Sequence, residues 1–223
     1  GAAAVRVGRH SLTPAIVAHW ARVEGAFAYR TSGLAGDRPT PPRGLIPDPP
    51  SYADCIAYLA TKASPSAPRP TRGALRGECE REWLALRRHV LEILLTYYWT
   101  QEEARALHVL VTPSEVQHLL DAQFGSARRF EQFRRGSGVS MSEERFILTS
   151  KLQLKKLQER VSPLHVHTGH ESAQMSASVD LAYQRLDAAM KRKWIPRTDC
   201  RAGYVVAECR QYRGPADTGT SGL

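Results

Sequence analysis

The sequence predicts a mainly α-helical fold, and three observations lead there. Apolar residues recur at helical spacing through most of the 223 residues. Two Ser/Thr-x-x-Glu capping boxes, Thr112-Pro113-Ser114-Glu115 and Ser140-Met141-Ser142-Glu143, stand just ahead of such stretches. Extended runs are short and confined to the two ends of the chain. With 42% apolar residues the chain can bury a core, which excludes wholesale disorder. No run approaches the roughly 18 apolar residues of a membrane span. No charged region followed by an apolar one reads as a signal peptide.

Taken in order, residues 3–9 read as a short strand leading into a turn. Thr13-Pro14 then places an N-cap before a proline at the first helical position, where its missing N–H costs nothing. Ile16, Val17, Trp20, Val23 and Phe27 form the apolar face of that helix. Between 31 and 50, Pro39, Pro41, Pro42, Pro47, Pro49 and Pro50 exclude a helix. A short helix over 52–62 precedes a second proline-rich stretch over 64–70.

The strongest helical signal spans 73–108. Trp83, Leu86, Val90, Leu94 and Tyr97 make one stripe, and Leu84, Leu91, Leu95 and Tyr98 a second. A helix apolar nearly all round is expected at the centre of a core. The first capping box opens a helix of about ten residues, which Gly125-Ser126 ends. A short helix carrying Phe130 and Phe133 runs to Gly136-Ser137-Gly138. The second box opens a helix with Ile147, Ser150, Leu154, Leu157 and Val161 on one face. A last helix over 178–194 carries Val179, Tyr183, Leu186, Met190 and Trp194, and Pro196 ends it. Tyr204-Val205-Val206 is the best strand candidate beyond the start. The tail after Tyr212 is poor in apolar residues and is expected to be disordered.

Charge and cysteine bound the function. Lys and Arg total 31 against 22 Asp and Glu, a net charge of +9. The excess fits nucleic acid, an anionic membrane surface, acidic partners or solubility alone. Lys191, Arg192 and Lys193 form its densest patch. No helix-turn-helix, zinc-finger or RNA-binding signature accompanies it. The four cysteines, Cys55, Cys79, Cys200 and Cys209, allow three connectivities. Two close pairs favour Cys55–Cys79 and Cys200–Cys209, and disulfides imply an extracytoplasmic location. Neither pair has zinc-knuckle or C-x-x-C spacing.

His165, His167 and His170, with Glu171, present imidazoles within metal-ligating distance in sequence, but on a connector rather than a rigid element. No metal, cofactor or catalytic residue is assigned. Glu102-Glu103 and Glu143-Glu144 read as solvated helix surface, since adjacent helical residues diverge in direction. Tyr97, Tyr98, Trp99, Phe130 and Phe133 are candidates for an apolar client-binding surface, with core packing as the alternative.

The order of these elements resembles that of the SurA/PrsA-type peptidyl-prolyl isomerase foldases, in particular their SurA N-terminal-like chaperone module. Val5-Arg6-Val7-Gly8-Arg9-His10-Ser11-Leu12-Thr13 is similar to the family's opening V-x-V-N-G-x-x-I-T, with Gly8-Arg9 where Asn-Gly is common. The run from Leu107 through Thr112-Pro113-Ser114-Glu115-Val116 resembles the passage "V-t-d-x-E-V". Phe130-Glu131-Gln132-Phe133 and the turn to Ser142 resemble the short helix before the module's last helix. Ile46 to Cys55 and Lys193 to Cys209 resemble features of one subgroup.

The resemblance implies a module over 1–161, a linker over 162–177 where a parvulin isomerase domain would be inserted, and a closing helix and stapled segment over 178–212. A tail occupies 213–223. The linker is far too short for a parvulin domain of roughly 100 residues. The function implied is therefore an extracytoplasmic holdase for unfolded or extended segments of secreted proteins, without isomerase activity. Prolyl isomerisation, and a basic module binding nucleic acid or a protein partner, are the alternatives.

Overall fold

The computed structural model describes residues 2–32, 40–63, 68–161 and 173–214, with side chains of the last span from residue 180. His165, His167 and His170, Val179, most of the expected linker and the tail from 215 lie outside the described residues or side chains. The fold is mainly helical. Seven α-helices and one small sheet are described: β1 (Val5–Val7), β2 (His10–Leu12), α1 (Pro14–Thr31), α2 (Ala53–Lys62), α3 (Arg72–Ala106), α4 (Pro113–Phe124), α5 (Ala127–Ser137), α6 (Met141–Val161), α7 (Ala173–Trp194) and β3 (Thr198–Cys200). They divide into two compact units that interleave along the chain. The first holds 1–13, 92–123 and 142–223, and the second holds 14–91 and 124–141.

The second unit is built around aromatic packing and one covalent staple. Helix α1 buries Val17, Trp20, Ala21, Val23, Ala26 and Tyr29, while Ile16, expected inward, is largely exposed. Phe27 meets Phe133 of α5 edge to face at 6.0 Å, and Phe124 packs on Phe130 and Phe133 at 5.0 and 5.1 Å. The Cys55–Cys79 disulfide joins α2 to α3. Asp48 caps α2, its carboxylate accepting the N–H groups of Cys55 at 3.1 Å and Asp54 at 3.3 Å. Arg76 donates to the carbonyls of Pro50 and Ser51, which pins the proline-rich approach. Gly44 is obligatory there: its φ is +82°, and a Cβ would sit 2.0 Å from the carbonyl oxygen of Asp54. Along this half of α3 the inward line is Leu75, Cys79 and Trp83, at a spacing of four. Leu84, one step off that line, is 47% exposed rather than buried.

The first unit is organised by a three-stranded antiparallel sheet in the order β2-β1-β3. Val5 pairs with Leu12 on one side and Cys200 on the other, and Val7 with His10 and Thr198. Gly8 has φ +52° while Arg9 does not enter the left-handed region. One positive φ, at the first turn residue, is what a two-residue hairpin needs when Asn-Gly is absent. The predicted strand at 204–206 does not form. The Cys200–Cys209 bridge turns that run back on itself, with the Tyr204 N–H on the Arg201 carbonyl and the Arg210 N–H on the Thr198 carbonyl. The edge of β1 goes to residues 198–200 instead.

Val90, Leu91, Leu94, Leu95 and Trp99 of α3 are buried, as the all-round apolar pattern predicts. Helix α6 buries Ser150 and Leu157 of its expected face, with Ile147 and Leu154 half-buried; it also buries Glu144 and Leu148 to one side, and Val161 is exposed.

Candidate functional site

The functional side chains of the first unit gather at the last turns of α3. Glu102 and Glu103 are neighbours in sequence and diverge by about 100° around the helix. Sequence reasoning placed both in solvent; neither is there. Glu102 is only 4% exposed. It points to the β1–β2 turn, where it meets Arg9 Nε at 2.9 Å and His10 Nε2 at 3.0 Å, and it also holds Arg105 of its own helix. Burial opposes its ionisation most strongly. Hydrogen bonds from Arg105 and His10, with the charges of Arg105 and Arg9, outweigh that and hold the carboxyl below its ordinary value. Glu103 turns to α7, accepting from Lys193 Nζ at 2.6 Å and Trp194 Nε1 at 3.2 Å. The two carboxylates therefore tie the hairpin and the closing helix to one end of α3. A third, Glu144, is buried in α6, and desolvation pushes its carboxyl up against the smaller opposing charge of Lys151.

The aromatic candidates separate between the units. Trp99 is buried, with Nε1 donating to Thr198 Oγ1 at 3.0 Å, and that hydroxyl donates to the Trp194 carbonyl. Phe130 and Phe133 are buried in the second unit. These three are core residues, not an exposed apolar surface, because their helical spacing points them inward. Tyr97 and Tyr98 are half-buried and pack on Phe146 at 6.0 and 5.3 Å, and Tyr98 also stacks on the His10 ring at 4.6 Å. Desolvation raises the Tyr98 phenol. The expected basic patch is likewise split. Lys191 pairs with Asp187 at 3.1 Å, Lys193 with Glu103, and Arg192 is exposed between them. Among the described residues no group of three His, Cys, Asp or Glu side chains could hold a metal ion.

An apolar surface does exist, in a place the periodicity gave no reason to choose. Helix α3 ends in a Schellman motif: the Val109 N–H donates to the Ala104 carbonyl at 2.7 Å and the His108 N–H to the Arg105 carbonyl. His108 takes the left-handed position with φ +52°, which costs a non-glycine residue roughly 1 kcal/mol. Ala104 and Val109 pack together with Leu157, and Leu186 of α7 covers them.

Helix α4 begins three residues later with the predicted capping box. Glu115 accepts from the Thr112 N–H at 2.8 Å, and the Glu115 N–H donates to Thr112 Oγ1 at 3.2 Å. Glu115 also pairs with Lys156 at 2.6 Å. The Lys156 bond first, then those from Thr112, hold the Glu115 carboxyl at about 2.

The backbone between these two caps is gripped from α6. Lys156 Nζ donates to the Leu110 carbonyl and Arg160 Nη1 to the Leu107 carbonyl, both at 2.7 Å. On this fixed corner Leu110 is 79% exposed and Leu107 46% exposed. Val109, Leu110, Lys156, Glu159 and Arg160 line an open cleft of about 420 Å³, with exposed Val161 next along α6. The signal available in the sequence was the Leu-x-x-Leu between a helix end and a capping box, where apolar residues have no helical neighbours to bury against.

No described helix is long and apolar enough to cross a membrane. No family model matches the chain, and neither a curated protein nor a solved structure matches it.

Proposed function

We propose that the chain is an extracytoplasmic holdase that binds extended apolar segments of unfolded proteins and performs no isomerisation of its own. The observation that carries this reading is the fixed leucine corner at 107–110. Large apolar side chains left in water on a backbone held at four points suit transient burial of a partner's apolar side chains. The two disulfides fit an oxidising compartment. The resemblance to the SurA N-terminal-like module supports the same reading.

The test is suppression of aggregation of a chemically unfolded client by the purified oxidised chain, with binding of extended peptides read by fluorescence anisotropy. Suppression at near-stoichiometric ratios, with peptide binding, is the expected result. Neither effect at tenfold excess (roughly, allowing for weak transient binding) sinks the reading. A protease-coupled prolyl-peptide assay is expected to show the uncatalysed rate; turnover well above it would make the chain an isomerase.

A further inference from the structure

The leucine corner has a charge as well as an apolar face, and this narrows the partner. Of the ionised groups lining the cleft, Lys156 is compensated by Glu115 and Glu159 by Lys155 at 3.9 Å. Arg160 is exposed and has no carboxylate partner among the described residues; its one bond, from Nη1, goes to the Leu107 carbonyl. Among the described residues, four of the five guanidinium N–H donors thus have no partner and remain for an incoming group. Among the described residues, the uncompensated charge of the cleft is this planar cation beside Leu110 and Val109. Its volume of about 420 Å³ lies at the lower end of ligand pockets, enough for part of a chain rather than a folded surface.

Resting on the holdase reading, we infer that this cleft takes an extended polypeptide segment in which an apolar side chain stands next to a carboxylate. The apolar group packs on Leu110 beside Val109, and the carboxylate meets Arg160 in a two-point hydrogen-bonded pair. The same pairing explains how a chain with net charge +9 favours acidic unfolded segments at this one place.

The experiment uses the full oxidised chain and two labelled ten-residue peptides that differ only at the centre, Leu-Glu-Leu against Leu-Gln-Leu. The acidic peptide is expected to bind about tenfold more tightly. Leu110→Ser is expected to weaken both peptides by about tenfold without loss of thermal stability, because the side chain is already in water. Arg160→Gln, which also gives up the bond to the Leu107 carbonyl, is expected to weaken both peptides and bring their affinities to within about twofold of each other, and Arg160→Lys should retain a preference for acid.

Equal binding of both peptides by the wild type overturns the inference. So does binding that ignores Leu110→Ser and Arg160→Gln, or an Arg160→Gln chain that still prefers the acidic peptide. Self-association abolished by Leu110→Ser, with no peptide competition, assigns the cleft to a second copy instead. Failure to bind any peptide or unfolded client is a different result and removes the holdase reading itself.

Discussion

The two units solve the same stability problem by different means. In the second, order comes from packed phenylalanines and one disulfide across a proline-rich approach. In the first, carboxylates are drawn inward: Glu102 to the hairpin, Glu103 to α7, Glu144 within α6 and Glu208 in the stapled segment. The lesson is about what each can present. A unit closed by charge pairs at one end of α3 can leave leucines in water at the adjoining corner, because that corner is fixed by hydrogen bonds rather than by burial.

The largest expected effect is in the first unit. Trp99→Ala removes a side chain that is 2% exposed, together with its bond to Thr198, and is expected to cost about 3–5 kcal/mol. Urea unfolding followed by hydrogen exchange should show lost protection concentrated in 92–123 and 142–161. Equal loss in α1 and α5 would show that the two units unfold as one. Next come the staples. Loop closure over a separation of 24 residues predicts about 3.5 kcal/mol for Cys55–Cys79, and over 9 residues about 2.6 kcal/mol for Cys200–Cys209. Serine pairs at each site should therefore rank in that order by denaturant midpoint. The reverse order would mean that the short staple positions β3.

Glu102→Gln should cost about 2 kcal/mol, since it leaves Arg9, His10 and Arg105 without their shared anion. The sign with pH follows from the depressed carboxyl. Its contribution is complete above the ordinary value of 4.5 and is lost as pH falls through the lower folded value, so the variant's deficit should shrink on acidification. A deficit unchanged between pH 7 and 3 would show that packing, not charge, matters there. The smallest effect has the opposite sign. Glu144→Gln should stabilise by about 1 kcal/mol at neutral pH, because burial favours the protonated form and ionisation is a cost above that raised value. Destabilisation instead would reveal a partner that needs the charge.

Much of the fold was legible because its signals are local. The capping box at Thr112 and Glu115, the stops at Gly125 and Gly138, and the cysteine pairing all rest on residues close in sequence. The candidate site was not, because its partners are distant. Arg9 and His10 reach Glu102 across more than 90 residues, and Lys193 reaches Glu103 across as many. A run of two glutamates on a helix looks solvated until those partners are placed. The same holds at 204–206, where propensity favoured a strand and a disulfide nine residues long decided otherwise. Trp99, Phe130 and Phe133, candidates for a client surface with core packing as the alternative, are buried, because their helical spacing turns them inward.

The central position of β1 has a consequence for synthesis. One edge of that strand is satisfied at once by the hairpin, but the other waits for residues 198–200. At about 5–20 residues per second, the interval is on the order of 10–40 s, during which the growing chain carries an open strand edge. Completion of the first unit therefore waits until residues 198–200 are available to pair with β1. A ribosome-stalled chain ending before residue 198 is expected to keep Val5 and Val7 accessible to proteolysis until residues 198–200 are added.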